Sequence, residues 1–128
     1  MTRNTRQKVA IREAFEEAGR PLSTGEVLDL AQSKVEKLGI ATVYRNVKSL
    51  VDEGWLATVE LPGETSRYEI AGKDHHHHFQ CESCSRVFEL HGCLPGLDRL
   101  AETGYSVRRH ELVLYGSCPE CNGNRPAR

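Results

Sequence analysis

Two C-x2-C pairs, Cys81/Cys84 and Cys118/Cys121, constrain this 128-residue chain more than any other feature. Their inner cysteines stand 34 positions apart, and two such turns can present four thiolates at the corners of a tetrahedron. A site of that kind is closed, so it is structural zinc rather than a reaction centre. It would tie the C-terminal strand to the segment before Cys81, and ion binding would supply folding free energy. Directly upstream run Asp74-His75-His76-His77-His78-Phe79-Gln80. An expression-tag scar would sit at a terminus, whereas this run is internal and abuts a C-x2-C. On a β-strand alternate side chains face opposite ways. His75 and His77 then share one face, and His76 and His78 the other. One short strand can thus supply two ligands to each of two metal sites, with the cysteines serving a third.

Cysteines used this way imply a reducing compartment. No charged-then-apolar leader opens the chain and no apolar run is long enough to span a bilayer, so a cytoplasmic protein with no membrane partner is expected. The formal net charge is only −1, which by itself does not suggest a nucleic-acid partner. The halves differ, however. Residues 1–50 carry nine Lys and Arg against six Asp and Glu, and residues 51–128 carry eight against twelve. DNA binding is therefore expected of the first half alone.

Thr5 to Ala18 reads as a helix with Ile11, Ala14, Phe15 and Ala18 on one face, ended by Gly19 and Pro21. Ser23-x-x-Glu26 is a capping box opening a second helix that carries Val27, Leu28, Ala31 and Val35. A third helix is expected from Ala41 to Glu53, with Val43, Val47, Leu50 and Val51 inward and Thr42, Arg45, Lys48 and Ser49 outward. Trp55–Leu61 and Ser66–Ile70 read as strands around a turn at Pro62–Thr65. Three helices and a hairpin, in that order, predict a winged helix-turn-helix with the third helix in the major groove. Beyond Asp74, strands are expected at His76–Cys81, Arg86–Leu90 and Tyr105–Tyr115, with a helix at Leu94–Glu102 turning Leu97 and Leu100 inward. The fold class is therefore α+β: a winged-helix domain over residues 1–71, a hinge at 72–74, a metal-binding domain over 75–121, and a disordered tail over 122–128.

Several motifs taken together, Ala41-Thr42-Val43-Tyr44-Arg45, Arg67-Tyr68-Glu69, the four histidines, both C-x2-C pairs, and His110 with Leu114-Tyr115-Gly116, resemble the ferric uptake regulator (Fur) family of metal-dependent bacterial repressors over nearly the whole length. That resemblance implies a homodimer with an N-terminal DNA-binding domain and a small C-terminal α/β dimerisation domain. It also implies repression through an A/T-rich palindromic operator of double-stranded DNA, without enzymatic activity or a small-molecule substrate.

The resemblance implies a regulatory ion held by Glu69, His76, His78 and Glu89. Glu69 precedes the 72–74 joint and the other three follow it, so an ion held by all four would set the angle between domains and the half-site spacing of a dimer. A third site would use His75, His77 and His110, with Cys93 standing where the family often has a glutamate. The alternatives are a small buried apolar residue or a helix-start residue at Cys93, a core or surface histidine at His110, and solvated carboxylates at Glu69 and Glu89. Iron- and peroxide-sensing members usually add a histidine before the second helix, where this chain has Pro21. Four remaining ligands, and a thiolate at Cys93, both favour zinc as the regulatory metal over iron or manganese. On the DNA side, Tyr44 and Arg45 match the family's recognition residues beside Thr42. Lys48, Arg6, Lys8 and Arg67 are candidate phosphate partners, with a merely solvated charged face as the alternative.

Two other classes compete. A zinc hydrolase or deaminase would use His76 and His78 as ligands and Glu89 as general base, but no H-E-x-x-H or H-x-E signature is present. A zinc-ribbon interaction module would need only the four cysteines.

Overall fold

The computed structural model describes residues 2–123. The chain divides into two compact units, Met1–Lys73 and Asp74–Arg128. The tail expected to be disordered lies outside the described residues from position 124 onward.

The first unit runs α1 (Arg3–Ala18), α2 (Thr24–Ala31), α3 (Ile40–Asp52), β1 (Leu56–Val59) and β2 (Arg67–Ile70). Helix α1 begins two residues before its expected start because the Thr2 hydroxyl accepts the Thr5 N–H at 3.1 Å, a cap that satisfies one of the helix's free donors. It ends where Gly19 takes φ 62° and donates its N–H to the Phe15 carbonyl, a left-handed turn that glycine adopts without strain. The capping box at α2 is complete in both directions. Ser23 Oγ accepts from Glu26 N at 3.2 Å, and Glu26 Oε1 accepts from Ser23 N at 3.1 Å.

Val43, Val47 and Leu50 of α3 pack with Ile11, Ala14 and Phe15 of α1 and Val27 and Ala31 of α2 in one buried cluster. The i, i+4, i+7 spacing on α3 puts those three side chains on a single stripe, which leaves Tyr44, Arg45 and Lys48 outside. Trp55 meets Phe15 edge-on at 6.3 Å and carries the Arg12 guanidinium over its ring at 4.8 Å. Strands β1 and β2 pair antiparallel from Leu56↔Ile70 to Val59↔Arg67, the hairpin of a winged helix-turn-helix. Leu22 bridges Tyr68 and fixes the α1–α2 connection against β2.

The second unit holds a mixed three-stranded sheet in the order β4-β3-β5, with β3 (His77–Cys81) central. Strand β4 (Val87–Leu90) pairs antiparallel to β3, and β5 (Val113–Gly116) pairs parallel to it. Two expectations fail here. The helix from Leu94 to Glu102 is only a 3-10 turn over Leu97–Leu100, and Leu100 is 84% exposed rather than inward. Gly96 at φ 82° takes a left-handed conformation that an α-helix cannot contain, and so denies a longer helix its start. The long strand at Tyr105–Tyr115 shrinks to Val113–Gly116. Its partner β3 begins at His77 and offers no ladder to the polar run Arg108-Arg109-His110-Glu111. No helix among the described residues is long and apolar enough to cross a membrane.

Candidate metal centres and nucleic-acid face

Strand β3 ends in the first cysteine turn. The Cys81 carbonyl accepts from Ser85 N at 2.9 Å, and Ser85 takes φ 66° as the chain folds back into β4. Strand β5 runs out of the sheet into the second turn, where Cys118 O accepts from Asn122 N at 2.8 Å. The two turns meet. One ligand atom from each of Cys81, Cys84, Cys118 and Cys121 lies within 4.8 Å of the other three. Cys81 Sγ receives the backbone N–H groups of Cys84 and Cys118, both at 3.4 Å. These donors, Cys84 first and Cys118 next, pull the Cys81 thiol down to about 6. Cys121 is pushed up to about 12, by hydrogen bonding first to Cys118 and then to Cys81. Arg86, just after the first turn, donates to Glu120 Oε2 inside the second at 2.7 Å. Four sulfurs with no open position and no oxygen donor fit a tetrahedral zinc ion.

The alternation expected of the histidines is present. The His75 and His77 rings lie 4.5 Å apart, and the His76 and His78 rings 4.8 Å apart. His75, His77, Cys93 and His110 bring their donor atoms together: His75 Nε2 to His77 Nε2 is 3.1 Å, and His75 Nε2 to His110 Nε2 is 3.2 Å. Cys93 Sγ stands 3.2 Å from His77 Nε2 and 2.9 Å from His110 Nε2. Cys93 itself is exposed, so it is not a small core residue. Burial, then the facing imidazoles of His75 and His110, hold His77 below its ordinary value and favour the neutral form that binds metal. Three imidazoles and a thiol converging on one point fit a tetrahedral soft-metal site.

His76 and His78 occupy the other face of β3. Glu89 of β4 is the ladder partner of His78, and its side chain is only 6% exposed. Glu69 lies on β2 opposite Ala57 and is buried. Sequence reading passed over His91, whose Nε2 lies 3.7 Å from Glu89 Oε2. Its contact with Glu89, just past the end of β4, reveals it.

On α3, Tyr44 is 56% exposed, and Arg45 donates to the Thr42 hydroxyl at 3.2 Å. Lys48 and Arg6 are exposed. Lys8 donates to Glu53 at 2.7 Å. The expectation for Arg67 needs correction. Its side chain is buried and its Nη1 donates to Glu26 Oε1 at 3.1 Å, so it braces the capping box rather than offering a free cation to a phosphate.

The profile of the Ferric uptake regulator family matches residues 1–115. The peroxide operon regulator of Bacillus subtilis is 29% identical over 125 residues, covering 94% of this chain and 84% of its own. A solved zinc-bound manganese uptake regulator superposes with a TM-score of 0.74 at 28% identity, over 88% of this chain and 87% of that one. The zinc uptake regulator FurB of M. tuberculosis is 29% identical with a TM-score of 0.52, over 93% and 95% of the two chains.

Proposed function

The chain belongs to the ferric uptake regulator family, whose members are metal-responsive transcriptional regulators and not enzymes, and from that premise we propose that it is a zinc-responsive repressor. The observation that carries zinc is the donor set at Cys93. Three imidazoles and one thiol within 2.9–3.2 Å of their neighbours suit zinc, whereas ferrous and manganous ions prefer harder donors and more of them. Cys81, Cys84, Cys118 and Cys121 hold the structural zinc. Glu69, His76, His78 and Glu89 bind the regulatory ion, and DNA affinity reports its occupancy. The protein acts in the cytoplasm as a homodimer on a palindromic operator. Edge strand β5 and the exposed Leu94, Tyr105, Leu114 and Tyr115 of the second unit offer the apolar surface that a second copy would cover. Thr42, Tyr44 and Arg45 read base edges, while Lys48, Arg6 and Lys8 contact phosphates. Lys8 would have to exchange Glu53 for the phosphate.

The likeness to a peroxide regulator favours a second reading, an iron- or manganese-loaded sensor of peroxide. Binding tightness in vitro does not separate the two, because zinc outranks both metals at almost any nitrogen and sulfur site. Reporter transcription from the protein's own target promoter does. Zinc limitation should derepress it, and iron or manganese limitation at full zinc supply should not. Derepression by iron limitation with zinc replete refutes the zinc reading.

A further inference from the structure

The ladder between β3 and β4 places one more donor beside the regulatory set than the sequence motifs name. His77 pairs with Leu90 and His78 with Glu89; the ladder ends there, with His76 just before β3 and His91 just after β4. Cross-strand neighbours share a face, as do residues two apart on one strand. His76, His78, Glu89 and His91 therefore lie on one side of the β3–β4 ribbon, opposite the side that carries His75 and His77.

The contact between His91 and Glu89 comes near the spacing of shared ligation. Their closest atoms, Nε2 and Oε2, are 3.7 Å apart, beyond the roughly 3.2 Å limit of a good hydrogen bond. Two atoms bound to the same zinc ion at about 2.0–2.2 Å each stand roughly 3.0–3.6 Å apart at coordination angles of about 90–120°, and 3.7 Å lies just outside that range. The imidazole is 77% exposed while the carboxylate is 6% exposed. The ring thus has room to swing toward an ion that the buried carboxylate would help to hold.

We propose that His91 is a further ligand of the regulatory ion, a fifth donor joining Glu69, His76, His78 and Glu89 from the end of β4. The choice of metal then rests on the Cys93 donor set and not on a count of four ligands here. The inference rests on the reading of His76, His78 and Glu89 as that ion's ligands. It adds an imidazole supplied wholly from within the second unit.

The test uses the full-length protein with its cysteine centre loaded. Zinc is added stepwise while the imidazole nitrogens are followed by long-range proton–nitrogen correlation, and affinity is read by competition with a fluorescent chelator. The His91 Nε2 signal should move at the same zinc equivalent as those of His76 and His78. His91→Ala should weaken that step at least about tenfold, the loss that follows removal of even an outer-sphere partner. Because the side chain is exposed, the variant should keep its fold, checked by unchanged zinc content at the cysteine centre. If His76 and His78 shift while His91 stays still, and His91→Ala binds zinc as the parent does, the inference is overturned and the regulatory set stands. If none of the three shifts, the regulatory set is refuted and His91 falls with it.

Discussion

Removing zinc from the four cysteines should unfold the second unit and leave the first intact. Of the seventeen buried side chains that make up the core among the described residues, fourteen lie in the first unit. Only Cys81, Val87 and Cys118 lie in the second. Complete burial of three such side chains is worth roughly 5–9 kcal/mol at about 1.5–3 kcal/mol each. A structural zinc supplies about 10–16 kcal/mol. A zinc ion at these cysteines, not apolar burial, would therefore be the larger stabilising contribution in this unit, and two of its three core residues would be the ion's own ligands. Hydrogen exchange of the intact chain reads the two units separately. After chelation under reducing conditions, or in Cys118→Ser, the amides of Phe79 and Cys81 in β3 should lose protection by several orders of magnitude, since each 1.4 kcal/mol is about tenfold. The amides of Ile11 and Val47 should keep theirs. If β3 stays protected to within tenfold of the zinc-loaded protein, the reasoning is wrong and apolar packing carries the unit.

Three further outcomes are expected. Phe15→Ala removes the largest fully buried side chain and its edge contact with Trp55, which should cost about 3–5 kcal/mol in urea melts of the first unit. Glu26 should make stability depend on pH. Burial raises its pKa, but the Ser23 backbone N–H and then Arg20 and Arg67 outweigh this and leave it below the ordinary 4.5. A depressed carboxyl stabilises the fold above its unfolded pKa, and that contribution is lost as pH falls through the lower folded value. Glu26→Gln should therefore melt below the parent at neutral pH, with the gap closing as pH drops below 4.5; a gap that widens toward acid would reverse the assignment. In operator binding followed by anisotropy, Arg45→Ala should cost about 1–3 kcal/mol and relax specificity at one base pair. Lys48→Ala should instead lower the salt slope by about one.

Local chemistry explains which parts were legible in the sequence. The Ser23–Glu26 capping box, the α3 stripe at Val43, Val47 and Leu50, and the alternation of the four histidines all arise from neighbours a few residues apart, so spacing alone reveals them. The segment after Cys93 was not legible in that way. Leu97 and Leu100 look like a helical pair, but the left-handed turn at Gly96 outweighs the periodicity. At Tyr105–Glu111 the strand propensity finds no ladder, because β3 starts too late to provide one. Arg67 looked like a free cation because the carboxylate that claims it, Glu26, sits 41 positions away. His91 was missed for a similar reason: its value depends on an antiparallel register that no short motif encodes.

Because successive histidines on β3 point to opposite sides, a slip of one residue in its pairing would exchange the two clusters. His76 and His78 would turn toward Cys93 and His110, and His75 and His77 toward Glu89, with each cluster still receiving two imidazoles. Ligand chemistry would therefore tolerate the wrong alignment almost as well as the right one. Cys81 prevents the slip, since it closes the same strand and can meet Cys118 and Cys121 in one alignment only. A sulfur centre closed on zinc would thus act as a pin that decides which histidines could serve which ion.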